Sequence, residues 1–341
     1  MVGMTTDAVT PDFPRNSPPG ANMQDVVTLT LNPSVDVSLA VDTVLPVHKL
    51  RCSAGAWHPG GGGINVARVA HRLGSKALAL YPCGGVMGQE LQVLLNAEDL
   101  PQQTIPIAAE TRQNFSVHET TLGQDYRFVL PGPSLTPTEL KACLEAFLDR
   151  LPGASHAVVS GSLPSGVPEH CYADLCRRAQ ARGYRIVLDA SGPALALALR
   201  EGVELVKPSL RELADLVGRP LEEETQWRAA AASLVEQGQA RIVALSLGED
   251  GALVVTRHGH WHARAVPVEV RSTIGAGDSF LGGWLHGWPS NSGPSDDEHA
   301  VLPAFRWAMA TAASAVSSHG TALSNPAQVR ALLDRVVIER L

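Results

Sequence analysis

The sequence predicts an α/β protein with a doubly wound, mostly parallel sheet flanked by helices and a small antiparallel β-lid. Two patterns carry this prediction. Apolar runs of strand length recur along the chain, most of them followed by a helical pattern, and two other stretches alternate apolar with polar residues. Strands buried on both faces appear as continuous apolar runs, and repeated strand–helix units form a parallel sheet.

The main sheet is predicted from six continuous apolar runs, at 26–31, 77–81, 156–160, 185–189, 204–207 and 241–247. Helices between them have local start and stop signals. Thr136, Pro137 and Glu139 combine an N-cap, a first-position proline and a capping box, and Gly183 ends the helix that begins near Pro168. These signals support a strand–helix repeat along the whole chain.

The lid is predicted from two segments, about 35–57 and 112–131, in which apolar and polar residues alternate. Such alternation is typical of antiparallel strands with one wet face, and Gly123 fits the turn of the second segment. We expect these strands to form a small sheet beside the main one, either as a lid over a site or as the surface of a homodimer.

The first 24 residues are predicted to be a disordered N-terminal tail. They contain four prolines and two early aspartates but lack the apolar core of a signal peptide. The remainder, 25–341, is interpreted as one domain, because 341 residues with 45% hydrophobic content can bury a sizeable core.

Composition disfavours several classes of partner. The net charge of −7 argues against nucleic acid, whose backbone is bound by clustered Lys and Arg, and no run reaches the ~18 apolar residues of a membrane span. The five cysteines are odd in number and widely spaced, which favours free thiols in a reducing compartment over disulfides or zinc. We therefore predict a cytoplasmic protein with small-molecule partners.

The most informative motif is the glycine-rich turn at 272–279, STIGAGDS. Apolar residues after Gly277 have helical spacing, so the turn opens a helix whose N-terminal amides and dipole suit an anion. Asp278 in the first turn has a structural interpretation as a cap. Its alternative role is to accept a proton from an attacking hydroxyl beside a transferred phosphoryl group, and the surrounding glycines favour this second role.

A second glycine run, at 60–63, also leads into a helical pattern. Four consecutive glycines cost conformational entropy, so the backbone must approach something closely, either a packed element or a ligand. Asn65 in the first turn is placed to bond a sugar hydroxyl. Neither run completes G-x-G-x-x-G, and no phosphate-binding G-x-x-x-x-G-K-[ST] occurs, which weakens a nicotinamide dehydrogenase or P-loop interpretation.

Basic residues suited to a phosphate group lie on the predicted lid, and any one of them could equally be ordinary solvated charge. They are Lys49, Arg51, Arg112 and Arg127. Asp36, just after the first strand, could bind sugar hydroxyls or shape an Asx turn.

With these motifs, residues 26 to 325 resemble the ribokinase-like (PfkB) carbohydrate kinases, and within them the ATP-dependent 6-phosphofructokinases. The matching segments are TLTLNPSVD at 28–36, KLRC at 49–52, PGGGGINVAR at 59–68, TRQN at 111–114, YRFVLPG at 126–132, SGSLPSGV at 160–167, VKPSLREL at 206–213, SLGEDGA at 246–252 and STIGAGDS at 272–279. So many matches in order are specific to the family.

The resemblance implies a role for each matched residue. Asp278 would be the catalytic base, with the amides of Gly275, Ala276 and Gly277 as the anion hole. The sugar hydroxyls would be held by Asp36, Gly61, Gly62 and Asn65. The sugar or its phosphate would meet Lys49, Arg112 and Ser162. The residues bordering ATP would be Lys207, Ser209, Ser246, Gly248 and Gly251.

The family also implies Mg²⁺, placed with the help of Glu212 through water. Where the family has Asn-x-x-Glu, this chain has Ser209 and Glu212, a pair that also forms a capping box and so has a purely structural explanation. A K⁺ site, expected around Ser272, Ile274 and Gly320, is only loosely matched. A homodimer through the lid is implied as well.

The implied reaction is ATP-dependent phosphorylation of fructose 6-phosphate at the C1 hydroxyl, giving fructose 1,6-bisphosphate and ADP. The alternatives are a 1-phosphofructokinase or tagatose-6-phosphate kinase of the same family, and a sugar-phosphate-binding protein with weak catalysis, for which Ser209 is the only hint. Pocket shape separates these sugar isomers, and the sequence does not display it.

Overall fold

The computed structural model describes residues 24–289, 296–318 and 323–341. The predicted disordered tail lies outside the described residues except for Gln24, which begins the first strand. The strands in chain order are β1 Gln24–Leu29, β2 Ser34–Val41, β3 Ala56–Gly60, β4 Ala77–Cys83, β5 Gln102–Pro106, β6 Arg112–Glu119, β7 Gln124–Val129, β8 Ala154–Ser160, β9 Ile186–Asp189, β10 Val203–Val206, β11 Ala240–Ser246, β12 Ala252–Thr256, β13 Gly259–Ala263 and β14 Ile338–Arg340.

Helices connect most of these strands and end at glycines in several places. In chain order they are α1 Gly62–Leu73, α2 Gly85–Asn96, α3 Pro137–Arg150, α4 Cys171–Gln180, α5 Gly192–Leu199, α6 Leu210–Val217, α7 Glu224–Glu236, α8 Ala276–Gly287, α9 Glu298–Val316 and α10 Pro326–Leu332. The predicted capping box of α3 is present, since the Thr136 side chain accepts from the Glu139 amide and Glu139 accepts from the Thr136 amide. Gly74 ends α1 in the left-handed conformation.

The large sheet has the strand order β14-β13-β12-β11-β10-β9-β8-β1-β4-β5. Every pair from β11 through to β5 is parallel, and the last three strands add an antiparallel edge. The prediction of a mostly parallel, doubly wound sheet is therefore confirmed. The order of the strands reverses between β1 and β8, which in folds of this class is where ligands bind, outside the carboxyl ends of the strands.

All six strands predicted from continuous apolar runs exist. The strands β5, β12, β13 and β14 were not predicted. β5 ends in a proline, β13 begins at a glycine and β14 holds two charged residues, whereas β12, with the sequence ALVVT, is a short apolar run that the same rule could have identified. The burial of β1, β4, β8 and β10 is nearly complete, as expected for strands covered by helices on both faces.

The lid is a separate four-stranded sheet with the order β3-β2-β6-β7. The outer pairs, β2 with β3 and β6 with β7, are antiparallel as predicted, whereas the central pair, β2 with β6, is parallel. The hairpins β2–β3 and β6–β7 both begin at the carboxyl edge of the main sheet, so their first strands, β2 and β6, run in the same direction. Because these two first strands are neighbours, the central pair is parallel. The residues between β2 and β3, predicted as part of the lid strands, form a connection over 42–55.

Helices α1 and α8 pack directly against each other, and this contact fixes the position of the glycine-rich turns. A Cβ atom at Gly282 of α8 would lie 2.7 Å from Val69 Cβ and 3.0 Å from the Val66 carbonyl oxygen of α1. The close approach brings the N-terminal ends of both helices to the carboxyl edge of the main sheet. Behind it, the buried rings of Phe280, Trp284 and Phe305 form an aromatic cluster.

The cysteines are free thiols, as predicted: four are buried and Cys52 is exposed. Burial raises the pKa of Cys143, Cys171 and Cys176 to about 12, so these thiols are protonated and inert at neutral pH. Among the helices in the described ranges, none combines the length and apolar composition that a membrane span requires.

Candidate active site

The helix α8 begins at Gly275, which adopts the left-handed conformation with φ 71°. A side chain at this position would be strained, and its Cβ would lie 2.6 Å from the Leu323 side chain. The turn is braced by the Ser272 hydroxyl, which accepts from the Ile274 amide at 3.2 Å. Within the described part of the chain, no side chain caps this helix, so its first amides and the positive end of its dipole are directed at the edge of the sheet.

Asp278 lies in the first turn of α8 and is held by Asn65 from the first turn of α1. The Asn65 Nδ2 atom donates to Asp278 Oδ2 at 2.8 Å. Burial and the neighbouring Asp189 carboxylate raise the pKa of Asp278 to about 6, against the opposing effects of the Asn65 hydrogen bond and the Lys207 charge. A carboxylate whose pKa is raised toward neutral pH is suited to accept a proton.

Lys207, directly after β10, is 7% exposed and pairs with Asp189 at the end of β9, with Nζ and Oδ1 separated by 3.1 Å. Burial alone would lower the pKa of Lys207, but the carboxylates of Asp189, Asp278 and Glu212 raise it above its usual value. A Cβ atom at Gly277 would lie 3.2 Å from Lys207 Nζ. A permanently charged ammonium group therefore lies against the glycine-rich turn.

Asp189 was not among the predicted site residues, although the sequence contains a signal for it. It is the last residue of the predicted strand 185–189, and its carboxyl group lies at the carboxyl edge of the sheet where the other site residues meet. The Ser160 hydroxyl donates to it at 3.3 Å.

The glycines of the 60–63 run are explained by packing. A Cβ atom at Gly61 would lie 2.8 Å from the Thr30 side chain, and one at Gly62 would lie 2.3 Å from Ser160 Oγ. At Gly63 the Cβ would be 2.6 Å from Thr30 Oγ1 and 2.9 Å from the Leu29 carbonyl oxygen. The start of α1 is therefore pressed against the ends of β1 and β8, and the first turn of this helix reaches Asp278 through Asn65.

Asp36 on β2 faces the same space and is already hydrogen bonded. Its Oδ1 atom accepts from Ser34 Oγ at 2.7 Å and from Asn114 Nδ2 at 2.8 Å. Asn114 was not among the predicted site residues, although it belongs to the matched TRQN segment. It fixes the carboxylate of Asp36 through the parallel pairing of β2 with β6.

Arg112 and Ser162, predicted at the sugar phosphate, converge on Asn32. Arg112 Nη2 donates to the Asn32 carbonyl oxygen at 3.1 Å, and Asn32 Nδ2 donates to Ser162 Oγ at 3.1 Å. Arg112 Nη1 donates to the Leu130 carbonyl at 3.1 Å. Its Nε is buried without a hydrogen-bond partner among the described residues, so this guanidinium has a donor to offer.

Lys49 is exposed on the 42–55 connection of the lid, as is Arg51. Arg127 is exposed on β7. The structure therefore brings Arg112 to the site but leaves the other three basic lid residues on the surface of this chain.

The residues predicted to border ATP lie at the carboxyl ends of β10 and β11 and in the turn after β11. Ser209 and Ser246 are joined by an isolated parallel bridge, and the Ser246 amide donates to the Pro208 carbonyl at 3.0 Å. Gly248 and Gly251 flank a short turn and both have positive φ. A Cβ atom at Gly251 would lie 2.0 Å from the Ala263 carbonyl oxygen, so this glycine is required by packing on β13.

Ser209 and Glu212 form the capping box that their spacing allows. The Ser209 amide and hydroxyl both donate to Glu212 Oε2 at 2.8 Å, and the Glu212 amide donates to Ser209 Oγ at 3.3 Å. The structural explanation of this pair is therefore confirmed. In the described ranges, no group of three or more His, Cys, Asp or Glu side chains is arranged to hold a metal ion.

Gly320, one of the residues expected around K⁺, lies outside the described residues, whereas Ser272 and Ile274 are described. The remaining geometry is chemically specific: a carboxylate with raised pKa stands at an uncapped helix N-terminus, beside a buried ammonium group. Such a site can take a proton from a hydroxyl and stabilise a transferred anionic group at the same place.

Fold and site together define a class of enzyme that transfers phosphoryl groups to small hydroxyl compounds. A family model described as pfkB family carbohydrate kinase matches residues 26–328. The chain belongs to the pfkB family of carbohydrate kinases, which confirms the resemblance inferred from its motifs.

Individual relatives agree with this assignment. An ATP-dependent 6-phosphofructokinase isozyme 2 of Mycobacterium tuberculosis is 41% identical over 307 residues, covering 88% of this chain and 86% of the relative. A 1-phosphofructokinase of Escherichia coli is 33% identical over 318 residues, covering 92% and 98%. The crystal structure of phosphofructokinase-2 from Escherichia coli in complex with fructose-6-phosphate has a TM-score of 0.84 and 37% identity, covering 92% of this chain and 99% of that chain.

Proposed function

We propose that the protein transfers the γ-phosphoryl group of ATP to the C1 hydroxyl of fructose 6-phosphate, giving fructose 1,6-bisphosphate and ADP. The observation that carries this proposal is the Asp278 carboxylate, whose pKa is raised to about 6, at the uncapped N-terminus of α8. The higher identity to a 6-phosphofructokinase than to a 1-phosphofructokinase, 41% against 33%, supports the choice of sugar.

Asp278 acts as the general base. At neutral pH it is ionised, and it accepts the C1 hydroxyl proton as that oxygen forms a bond to the γ-phosphorus. The bond between the γ-phosphorus and the bridging oxygen breaks, and ADP leaves with the electron pair. Removal of such a base typically costs about 10²–10⁴-fold in rate.

The transferred group is stabilised by the amides of Gly275, Ala276 and Gly277 together with Lys207. The α8 dipole and the ammonium group both favour the negative charge on the phosphoryl oxygens. The opposing Asp189 carboxylate, 3.1 Å from Lys207 Nζ, keeps the ammonium group in place before the nucleotide binds.

The sugar hydroxyls are bound by Asp36, Asn65 and the backbone of Gly61 and Gly62. Asp36 is held by Ser34 and Asn114, so its orientation is set before substrate arrives. Closure of the lid over this space would exclude water, which would otherwise hydrolyse ATP.

The sugar phosphate is bound by Arg112 and Ser162, which meet at Asn32. The Nε atom of Arg112 has no hydrogen-bond partner in the described ranges, and this supports the assignment because a guanidinium group offers phosphate two donors in one plane. Lys49 is proposed to join them from the exposed lid connection.

The nucleotide is bound along Lys207, Ser209, Ser246, Gly248 and Gly251. Mg²⁺ usually takes one or two carboxylates together with substrate phosphates and waters, so Glu212 in its capping box fits a water-mediated role and no preformed cluster is needed. When bound, the ion would neutralise charge on the phosphates. A K⁺ site near Ser272 and Ile274 belongs to the same proposal.

We further propose that the protein is a cytoplasmic homodimer assembled through the lid. Large apolar side chains are exposed on the lid strands and directly after β7. The exposed fractions are 41% for Trp57, 53% for Phe128, 58% for Val129 and 44% for Leu130. Exposed apolar groups of this size on one sheet are typical of an interface. Light scattering of the purified protein checks the assembly, and a monomer at micromolar concentration would contradict it.

The experiment that tests the activity is initial-rate ADP formation with Mg-ATP and fructose 6-phosphate, fructose 1-phosphate or tagatose 6-phosphate at matched concentrations. We expect the highest kcat/KM with fructose 6-phosphate. Preference for another sugar would retain the mechanism and replace the substrate. Binding without turnover of any sugar would favour the sugar-phosphate-binding alternative.

A further inference from the structure

Arg68 is a fully buried cation one turn after Asn65 on α1. It is 1% exposed. Its Nη1 atom donates to the Pro59 carbonyl at 3.0 Å and to Asn65 Oδ1 at 3.1 Å. An arginine buried this completely needs a specific reason, because burial of a charge is costly unless it is paired.

The pairing is supplied by Glu98, between α2 and β5. Arg68 Nε donates to both oxygens of Glu98, at 3.1 and 3.0 Å, and Nη2 donates at 2.5 Å. Arg72, one turn further along α1, also pairs with Glu98 at 3.0 Å. Burial alone would raise the pKa of Glu98, but the hydrogen bonds and charges of the two arginines hold it below its usual range, so the carboxylate is ionised.

An asparagine side chain has one acceptor end and one donor end. With Oδ1 directed at Arg68, Nδ2 is directed at Asp278 Oδ2, 2.8 Å away. Arginine has only donors, so it cannot accept a hydrogen bond from Asn65 Nδ2. In the opposite orientation of the amide, Nδ2 would face the donors of Arg68 and Oδ1 would face the carboxylate of Asp278, so neither hydrogen bond could form with the ionised base.

We propose that Arg68 is a positioning residue that fixes the amide orientation of Asn65, so that Asn65 donates a hydrogen bond to the catalytic base Asp278. The proposal rests on the proposed function for the role of Asp278. The chain of contacts runs from Glu98 through Arg68 and Asn65 to Asp278, and its last bond favours the charged form of the base.

Without Arg68, the amide of Asn65 can turn and present Oδ1 to the carboxylate, which would disfavour the charged form. Three other groups act on Asp278: Asp189 and Asp36 raise its pKa, and Lys207 lowers it. These groups lie at the ends of β9 and β10 and on β2, and the hydrogen bonds of Arg68 in the described structure go to Pro59, Asn65 and Glu98 rather than to any of them. The effect of Arg68 on the base is therefore separable.

The test compares Arg68→Met with Arg72→Met. Both variants remove an arginine that pairs with Glu98, but Arg72 lies seven residues from Asn65, about 10 Å along the helix. We expect the acid limb of the kcat/KM profile to move upward by about one pH unit in Arg68→Met, the usual effect of losing one hydrogen bond to a charged group. We expect no movement in Arg72→Met. An unmoved limb in Arg68→Met, or an equal shift in both variants, overturns the proposal.

A double-mutant cycle identifies the route of the effect. In an Asn65→Ala background, Arg68→Met should move the acid limb no further, because the residue through which it acts is gone. A full shift in that background contradicts the proposal. If Arg68→Met does not fold, Glu98→Gln replaces it: this variant loosens the guanidinium while keeping it, and the limb should move in the same direction by a smaller amount. If Glu98→Gln folds, keeps the wild-type kcat/KM at neutral pH and shows no shift of the acid limb, the proposal is contradicted as well.

A readout independent of turnover separates this proposal from the proposed function. The carboxyl carbon of Asp278 is titrated by NMR in protein carrying ¹³C-labelled aspartate, with Asp278→Asn identifying the resonance. We expect its pKa to rise in Arg68→Met and to stay constant in Arg72→Met. If no sugar phosphate is turned over, the proposed function fails while this titration still decides the positioning role.

Discussion

The two glycine-rich turns that open α1 and α8 look alike in the sequence but have different physical causes. At the α1 turn, side chains are excluded by protein: a Cβ at Gly62 or Gly63 would lie 2.3 to 2.9 Å from atoms of β1 and β8. At the α8 turn, a Cβ at Gly275 would lie 2.6 Å from the Leu323 side chain, but among the described residues a Cβ at Gly277 would meet only the Lys207 side chain, at 3.2 Å or more. Packing therefore requires glycine at positions 62 and 63, although their backbone can still face a ligand, whereas the space beside Gly277 lies against the Lys207 ammonium group. A glycine run alone does not identify an anion site.

Replacement of the base should give the largest effect. Asp278→Asn is expected to lower kcat by at least about a hundredfold, because no other group at the turn can accept the proton. The fold should be retained, since the buried charge of Asp278 is itself unfavourable at neutral pH. Steady-state kinetics and urea unfolding measure the two properties. Activity within about threefold of wild type would show that the α8 turn does not carry the chemistry.

Alanine substitutions should separate the two turns. Gly277→Ala places a methyl group against Lys207, and we expect kcat to fall about tenfold with little change in the free energy of unfolding, because position 277 is helical. Gly63→Ala forces a methyl group against the Leu29 carbonyl oxygen, and we expect a loss of about 1–3 kcal/mol in the free energy of unfolding. Parallel kinetics and denaturation compare the variants. The reverse pattern would invalidate the distinction between packing and binding turns.

The pH dependence tests the electrostatics of the α8 turn. The pKa of Asp278 is raised to about 6, so the base becomes protonated and inactive as the pH falls below that value. We expect kcat/KM to decrease about tenfold per pH unit below about pH 6 and to be level above it up to neutral pH. An acid limb near pH 4 in the wild-type profile would indicate an ordinary exposed carboxylate.

The start of α6 provides a third case, in which the helix N-terminus is closed by its own side chains. Ser209→Ala removes the cap and should cost about 1 kcal/mol in the free energy of unfolding. Thr136→Ala removes the equivalent capping box of α3, away from the site, and serves as the matched control. Equal losses of stability are expected. A rise in the KM for ATP in Ser209→Ala but not in Thr136→Ala would support a contact between Ser209 and the nucleotide. An unchanged KM in both variants would mean that the capping role alone explains Ser209.

Much of the site could be predicted because its residues follow strand ends or open helices. Asp278 and Asn65 each lie in a first helical turn after glycines, and Lys207 is the last residue of a predicted strand. Asp189 could have been found by the same rule. Arg68 could not, because a buried arginine on the apolar side of α1 looks like an ordinary helix residue until its partner Glu98 is known.

By itself, the sequence determined the doubly wound sheet, the lid, the helix starts and the family, because these depend on local periodicity, capping and ordered motifs. Only the tertiary structure decided which groups meet. The hydrogen bond from Asn65 to Asp278 spans 213 residues of sequence and exists because α1 and α8 pack closely at Gly282. The raised pKa of Asp278 likewise requires burial beside Asp189, and burial is a property of the assembled fold rather than of any segment.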